Sequence, residues 1–211
     1  MLALNELTVI RDGQPLFAPI SVTIRPGEVL TCMGASGLGK TSLLHALVSA
    51  MPGLSLSGQV QLDGETRPTQ CPLLGLTQTV FQDPVLFPHL SVGANVALGI
   101  TNQPRDRQRQ QVNDMLAAVG LNGLSASDPM ALSRGQRMRI AVARALVAKP
   151  RILLLDEPFS ALDVLAREQV KTLVFETVAQ QRMIALLVTH QDDDRPNDGE
   201  TVCLMPYLSA N

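Results

Sequence analysis

Gly34-Ala35-Ser36-Gly37-Leu38-Gly39-Lys40-Thr41 is the stretch that decides the fold. It fits G-x-x-x-x-G-K-[ST], a phosphate-binding loop (P-loop). An apolar run at 28–33 precedes it and suits a buried strand, and 42–48 follows with the character of a helix. That strand–loop–helix setting is the context the motif requires. Glycines 34, 37 and 39 let the backbone curl so that successive N–H groups turn inward, and the helix start adds the positive end of its dipole. Gly34, Ala35, Ser36, Gly37, Leu38, Gly39, Lys40, Thr41 and Ser42 are therefore the expected nucleotide-binding segment. Lys40 offers a mobile cation for the terminal phosphates, and the Thr41 hydroxyl is placed to ligate magnesium. The motif predicts a nucleoside triphosphate and leaves its base and purpose open.

The chain of 211 residues is long enough for one substantial core, or a core with a small lobe. A net charge of −2 argues against a nucleic-acid surface, which is usually strongly basic, so no nucleic-acid partner is expected. Aromatic residues make up 3%, too few for a platform that stacks single-stranded bases. Cys32, Cys71 and Cys203 lie far apart without C-x-x-C pairing. This argues against a zinc site or a disulfide framework and fits a reducing compartment. Cys32 reads as a buried thiol of the strand before the loop. The first residues lack a basic region followed by an apolar stretch, so no signal peptide is expected. No run of about 18 uncharged apolar residues occurs, so no membrane-spanning helix is expected. These features place the chain in the cytosol, or on a membrane through partners.

Alternation and turn chemistry predict strands over 2–10, 16–24 and 28–33, with turns at Asp12-Gly13 and Arg25-Pro26-Gly27. Further strands are expected at 58–62 and 76–81. From Asp83 the texture changes: Pro84 and Pro88 break the chain, 102–111 is polar, and 112–119 has helical spacing. A strong helix candidate covers 133–147 with Ser133 as its natural N-cap. A buried strand at 151–155, a helix at 164–179 and strands at 184–188 and 201–205 follow. The pattern is an α/β core interrupted by a mostly helical insertion at about 83–148.

Leu153-Leu154-Leu155-Asp156-Glu157 is an apolar strand ending in two acids. It delivers both carboxylates to the C-terminal edge of the sheet, where ligands of open α/β sheets bind. Asp156 is expected to hold magnesium, and Glu157 to polarise an attacking water.

With these residues in place, the sequence resembles the ATP-binding subunit of ABC transporters from end to end. Residues 131–146, ALSRGQRMRIAVARAL, are similar to the family's LSGGQ signature and the helix behind it. Phe81-Gln82-Asp83 is similar to the Q-loop, 152–158 to the Walker B strand, Ser160-Ala161-Leu162-Asp163 to the D-loop, and Leu187-Val188-Thr189-His190 to the switch histidine. The resemblance implies a P-loop NTPase (RecA-like) α/β fold with an N-terminal antiparallel β subdomain and a helical insertion subdomain. It implies one ABC ATPase domain, with a nucleotide-binding core at 1–82 and 149–211 and a signature-bearing helical part at 83–148. It implies ATP and Mg2+ as ligands, with Thr41, Gln82 and Asp156 around the metal and Glu157, His190 and Gln82 as catalytic residues. Ser133, Arg134, Gly135 and Gln136 would face the nucleotide of a second copy in a head-to-tail dimer, and Asp163 would lie at that interface. Taken alone, Gln82 reads as a surface residue, Ser133 as a cap and His190 as a loop histidine; the joint pattern is what reverses this. His45 and His89 gain no such support and read as packing and loop residues.

The chain departs from the family pattern at two places. Arg11 stands where an aromatic residue usually stacks on adenine; a guanidinium can also stack on a base. Arg134 replaces a glycine of the signature, and the sequence leaves open whether it adds charge near a phosphate or points away. The resemblance runs to the short bacterial type, YnjD-like or thiamine-importer-like. It implies permease subunits as partners, a periplasmic solute-binding protein acting through them, and a peripheral position on the cytoplasmic face of the inner membrane. An exporter or lipoprotein-release ATPase, or a soluble non-transport ATPase, is the alternative. Leu86 and Phe87 are candidates for a groove that receives a permease helix; internal packing is their other reading.

Overall fold

A computed structural model describes residues 1–207. The expected core segment 149–211 runs on into 208–211, which lie outside the described residues. Two sheets, lying one after the other in sequence for the most part, divide the work. The first is antiparallel and centres on β1 (Leu2–Arg11), which pairs with β2 (Gln14–Pro15), β3 (Ile20–Ile24) and β5 (Leu54–Leu62); β6 (Glu65–Thr66) extends it beyond β5. The second is wholly parallel, in the order β10 (Glu200–Cys203), β4 (Val29–Met33), β9 (Ile184–Val188), β8 (Ile152–Asp156), β7 (Thr77–Val80).

Strands β8 and β9 are buried along their whole length, as their continuous apolar sequences require of strands covered on both faces. Their side chains alternate between two cores. Leu154, Leu186 and Val188 pack with Leu43, Leu44 and Leu47 of α1 (Lys40–Val48) and with the antiparallel sheet. Leu153, Leu155 and Leu187 pack against α4 (Arg134–Val147) and α5 (Val164–Gln181). This is the expected P-loop α/β arrangement with its antiparallel β layer.

A third cluster holds the helical insertion together. It joins Val92 and Val96 of α2 (Val92–Ala97), Val112 and Leu116 of α3 (Arg105–Ala118), and Ile140, Ala143 and Val147 of α4. Helix α4 is buried on two sides, so it belongs to the core cluster and to the insertion at once.

Several boundaries differ from the sequence expectation. The strand expected at 16–24 keeps only Ile20–Ile24, because Pro15 and Pro19 flank a turn in which Phe17 drops into the core. Strand β5 starts at Leu54 rather than 58, with exposed serines alternating against Leu54 and Leu56. Helix α3 starts at Arg105, so most of the polar stretch 102–111 is its solvated first half. Helix α2, capped by Ser91, was not expected at all.

Candidate nucleotide site

Helix α1 begins without a side-chain cap. Its N-cap is Gly39, whose φ of 91° lies in the left-handed region, and a Cβ there would sit 2.6 Å from Leu16 Cδ1. Glycine is thus required by both backbone and space. The first-turn N–H groups of α1 have no side-chain acceptor and remain available to an anion. Lys40 is 7% exposed and folds back over the loop, donating to the carbonyls of Gly34 at 2.8 Å and Ala35 at 3.0 Å.

The two acids at the end of β8 have different surroundings. Asp156 is buried and accepts from Thr41 Oγ1 at 3.1 Å. Burial raises its carboxyl above the ordinary value; the Thr41 hydrogen bond opposes this, and the neighbouring Glu157 charge adds to it. Glu157 has a φ of 47°, uncommon for a residue with a side chain, and its N–H donates to Val188 O at 2.9 Å. That backbone turn presents the carboxylate to two partners. Gln82 Nε2 donates to one oxygen at 3.2 Å, and His190 Nδ1 lies 2.8 Å from the other.

Gln82 follows β7, Glu157 follows β8 and His190 follows β9, so neighbouring parallel strands bring these side chains together. A cavity of 470 Å³ is lined by Arg11, Lys40, Thr41, His45, Gln82 and Glu157 among others; His190 and Asp156 stand behind Glu157 and Thr41 and do not line it. His45 is stacked on Phe81, ring centroids 5.3 Å apart.

The signature residues lie elsewhere. Ser133, Arg134, Gly135 and Gln136 do not line this cavity. Ser133 Oγ accepts from Gln136 N–H at 3.2 Å while Gln136 Oε1 accepts from Ser133 N–H at 2.9 Å, a closed capping box. Arg134 turns back across its own chain, its Nη2 donating to Asp83 Oδ1 at 2.7 Å and to Gln82 O at 3.3 Å. Gly135 lets α4 approach the loop after β8: a Cβ there would meet Ala161 O at 2.7 Å. Asp163 caps α5 through Ala166 N–H at 3.0 Å, and next to it Val164 and Leu165 are 77% and 84% exposed.

Leu86 and Phe87 divide between their two readings. Leu86 packs inward, whereas Phe87 is exposed and lies beside the Arg144 guanidinium on a groove with Val85 and Leu98.

Two positions that sequence reasoning missed hold these loops. Asp194 is buried; its Oδ1 accepts from Arg167 Nε at 2.9 Å and Nη2 at 2.6 Å, and its Oδ2 accepts from Thr189 Oγ1 at 2.6 Å. This ties the residue before His190 to α5. Asn95, fully buried, accepts from Phe87 N–H and donates to the carbonyls of Phe87, Leu90 and Ser91. An acid in an acidic run and an amide in a short helix carried no local signal for either role.

Among the described residues no three or more His, Cys, Asp and Glu side chains cluster as a self-sufficient metal cage. The Thr41 hydroxyl and Asp156 carboxylate at the mouth of a phosphate loop do fit magnesium, which takes few protein oxygens and completes its shell with phosphate and water.

Comparison with known proteins follows the same line. Residues 17–160 match the family model described as ABC transporter. The chain is 34% identical over 208 residues to the putrescine transport ATP-binding protein PotG of Escherichia coli K12, covering 97% of this chain and 54% of PotG. It therefore spans about half the length of that relative. It is 36% identical over 196 residues to the thiamine import ATP-binding protein ThiQ of Shigella boydii, covering 92% of this chain and 83% of ThiQ. Among solved structures, the dimeric ATP-binding cassette MJ0796, bound to ADP and Pi, superposes with a TM-score of 0.80 at 25% identity, covering 97% of this chain and 94% of that one.

Proposed function

The chain belongs to the ABC transporter family, and on that premise we propose that it is an ATP-hydrolysing subunit that energises a binding-protein-dependent solute importer. The observation that carries the reading is Glu157, held between Gln82 and His190 at the cavity that also contains Lys40.

The chemistry follows from that arrangement. Phosphoryl transfer needs an in-line water and neutralised charge at the terminal phosphate more than covalent chemistry. The loop 34–42 grips the phosphates through its N–H groups, and Lys40 exchanges its two carbonyl partners for phosphate oxygens. Thr41, Asp156 and Gln82 would hold magnesium, which when bound neutralises phosphate charge. Glu157 orients and deprotonates the water. His190, with Nδ1 against Glu157, would reach the terminal phosphate and hold the attacking water in place.

One chain leaves the far side of that phosphate open, since Ser133, Gly135 and Gln136 lie away from their own cavity. A second copy docked head to tail would bring its Ser133 end there, with Asp163 and the exposed Val164 and Leu165 beside the contact. The dimer named for the MJ0796 structure supports this arrangement. The same reading takes 1–82 and 149–211 as the nucleotide core and 83–148 as the helical part. It gives the exposed Phe87 groove to a permease subunit, with a periplasmic binding protein acting through it. No helix among the described residues is long and apolar enough to cross a membrane, which agrees with a peripheral place on the cytoplasmic face.

Phosphate release and sizing in the presence of ATP test the reading. Glu157→Gln should retain ATP, lower turnover by roughly 10²–10⁴-fold, the worth of a positioned general base, and accumulate as an ATP-loaded dimer. Turnover like that of the unmodified chain would remove Glu157 from its assigned role.

A further inference from the structure

Arg11 ends β1 and reaches over the start of α1. Its Nη2 donates to Ser42 Oγ at 2.8 Å. Ser42 is 7% exposed and belongs to the first turn of α1, where the N–H groups have no side-chain cap. The guanidinium therefore rests against the turn that would face bound phosphate. It shares the cavity with Lys40, so the pocket offers two cations to one anion.

The remaining wall of the cavity offers a base little to read. Met51 and Leu54 supply apolar cover with no hydrogen-bond donor and, at most, the weak acceptor of the Met51 thioether. His45 carries the one aromatic ring among the lining residues, and that ring is already stacked on Phe81. Arg11 itself has five donors and no acceptor, so it has nothing to receive the exocyclic amine of adenine. Strong selection between related ligands needs buried polar groups matched to one of them, and Met51 and Leu54 supply none.

We propose that Arg11 is a phosphate ligand rather than a base platform, and that the pocket selects the triphosphate while reading its base weakly. The inference rests on the nucleotide reading above and narrows the ligand class: nucleoside triphosphates largely irrespective of base. Ser42 is the element that holds Arg11 on the phosphate side. Lys40 and Arg11 then share the anionic charge, and Met51 and Leu54 cover whichever base is attached.

Equilibrium binding to the full chain with ATP, CTP and inorganic tripolyphosphate, each with magnesium, tests this. An aromatic platform would be worth about 5–150-fold to the base it stacks, read as ATP over tripolyphosphate. Here ATP and CTP should bind within about fivefold of each other, since the pocket reads the base weakly. Tripolyphosphate should compete within about tenfold of ATP, since the phosphates supply most of the contacts. Arg11→Tyr should weaken tripolyphosphate by about tenfold, one charge-assisted contact, and widen the ATP-to-tripolyphosphate ratio. Arg11→Lys should retain most of the tripolyphosphate affinity and the narrow ratio. Arg11 is exposed, so these variants test the pocket rather than the core.

A preference for ATP over CTP beyond about fivefold, or for ATP over tripolyphosphate beyond about tenfold, would overturn the proposal while leaving the ATPase reading intact. Unchanged tripolyphosphate affinity in Arg11→Ala would overturn it too. Failure of all three ligands to bind would remove the nucleotide reading along with it.

Discussion

Helix α1 begins just after β4 of the parallel sheet and helix α4 begins within the helical insertion, and their starts are built in opposite ways. Helix α1 has glycine at its N-cap and no side chain closing its first turn. Helix α4 has Ser133 and Gln136 closing each other's N–H groups in a capping box. The first start leaves its backbone donors without a side-chain acceptor, as the proposed anion site requires. The second satisfies two of its donors internally and is stable without any ligand. A helix start kept open within its own chain suits the site that takes phosphate first. A start that is closed at rest suits one that, on the proposed dimer reading, engages later from a second copy, with the Ser133 hydroxyl proton still free to donate.

Lys40→Ala gives the largest expected effect on this contrast. Lys40 is held by two loop carbonyls and is nearly buried, so the loop already encloses the cation that phosphate would meet. Its loss should weaken triphosphate binding by roughly 10–100-fold, the equivalent of ~1.5–3 kcal/mol for a hydrogen bond to a charged group. Fold stability should change far less, since the two carbonyls it releases lie in a loop beside the open cavity. Titration calorimetry alongside thermal unfolding separates the two quantities. Unchanged affinity would mean that α1's open start is not the anion site.

Ser133→Ala should act the other way round. Loss of an N-cap costs about 1 kcal/mol of stability, because Ser133 Oγ accepts from Gln136 N–H in the chain by itself. Triphosphate binding to a dilute, single copy should be untouched, since Ser133 does not line the cavity of its own chain. Urea unfolding and nucleotide titration at low protein concentration would check this. A loss of affinity in the isolated copy would erase the distinction between the two helix starts.

How far these two regions could be read from sequence follows from how local their physics is. The phosphate loop, the runs Ile152–Asp156 and Ile184–Val188, and the Ser133 cap each declare themselves within a few residues. Their alternatives are excluded by chain stiffness, burial or an obvious hydrogen-bond partner. Helix α2 spans only Val92–Ala97, less than two turns, too short for an apolar repeat to show. The first half of α3 is solvated and shows no apolar stripe; its buried residues, Val112 and Leu116, lie in the second half. Asp194 sits in an acidic run that looks like a solvated loop, and its burial depends on Arg167, 27 residues away. The direction taken by Arg134 depends likewise on Asp83, 51 residues away. Groups whose role is set by a distant partner leave no mark on their own neighbourhood.

Arg134→Gly should produce the smallest change, and it sharpens the contrast most finely. Arg134 opens α4, where a cation opposes the positive end of the helix dipole, a penalty of about 0.3–1 kcal/mol. Its ion pair with Asp83 offsets this, but both side chains are more than half exposed, so the pair is worth at most ~1 kcal/mol. The two effects nearly cancel, and the stability of the variant should stay within about 1 kcal/mol of the original. What the pair does change is order. Through Asp83 Oδ1 and Gln82 O it straps the segment after β7 to the start of α4. Amide hydrogen exchange over 82–86 should therefore quicken in Arg134→Gly while α4 itself exchanges as before. Unaltered exchange would mean that the closed helix start is held by its capping box alone, with no strap to the glutamine that faces Glu157.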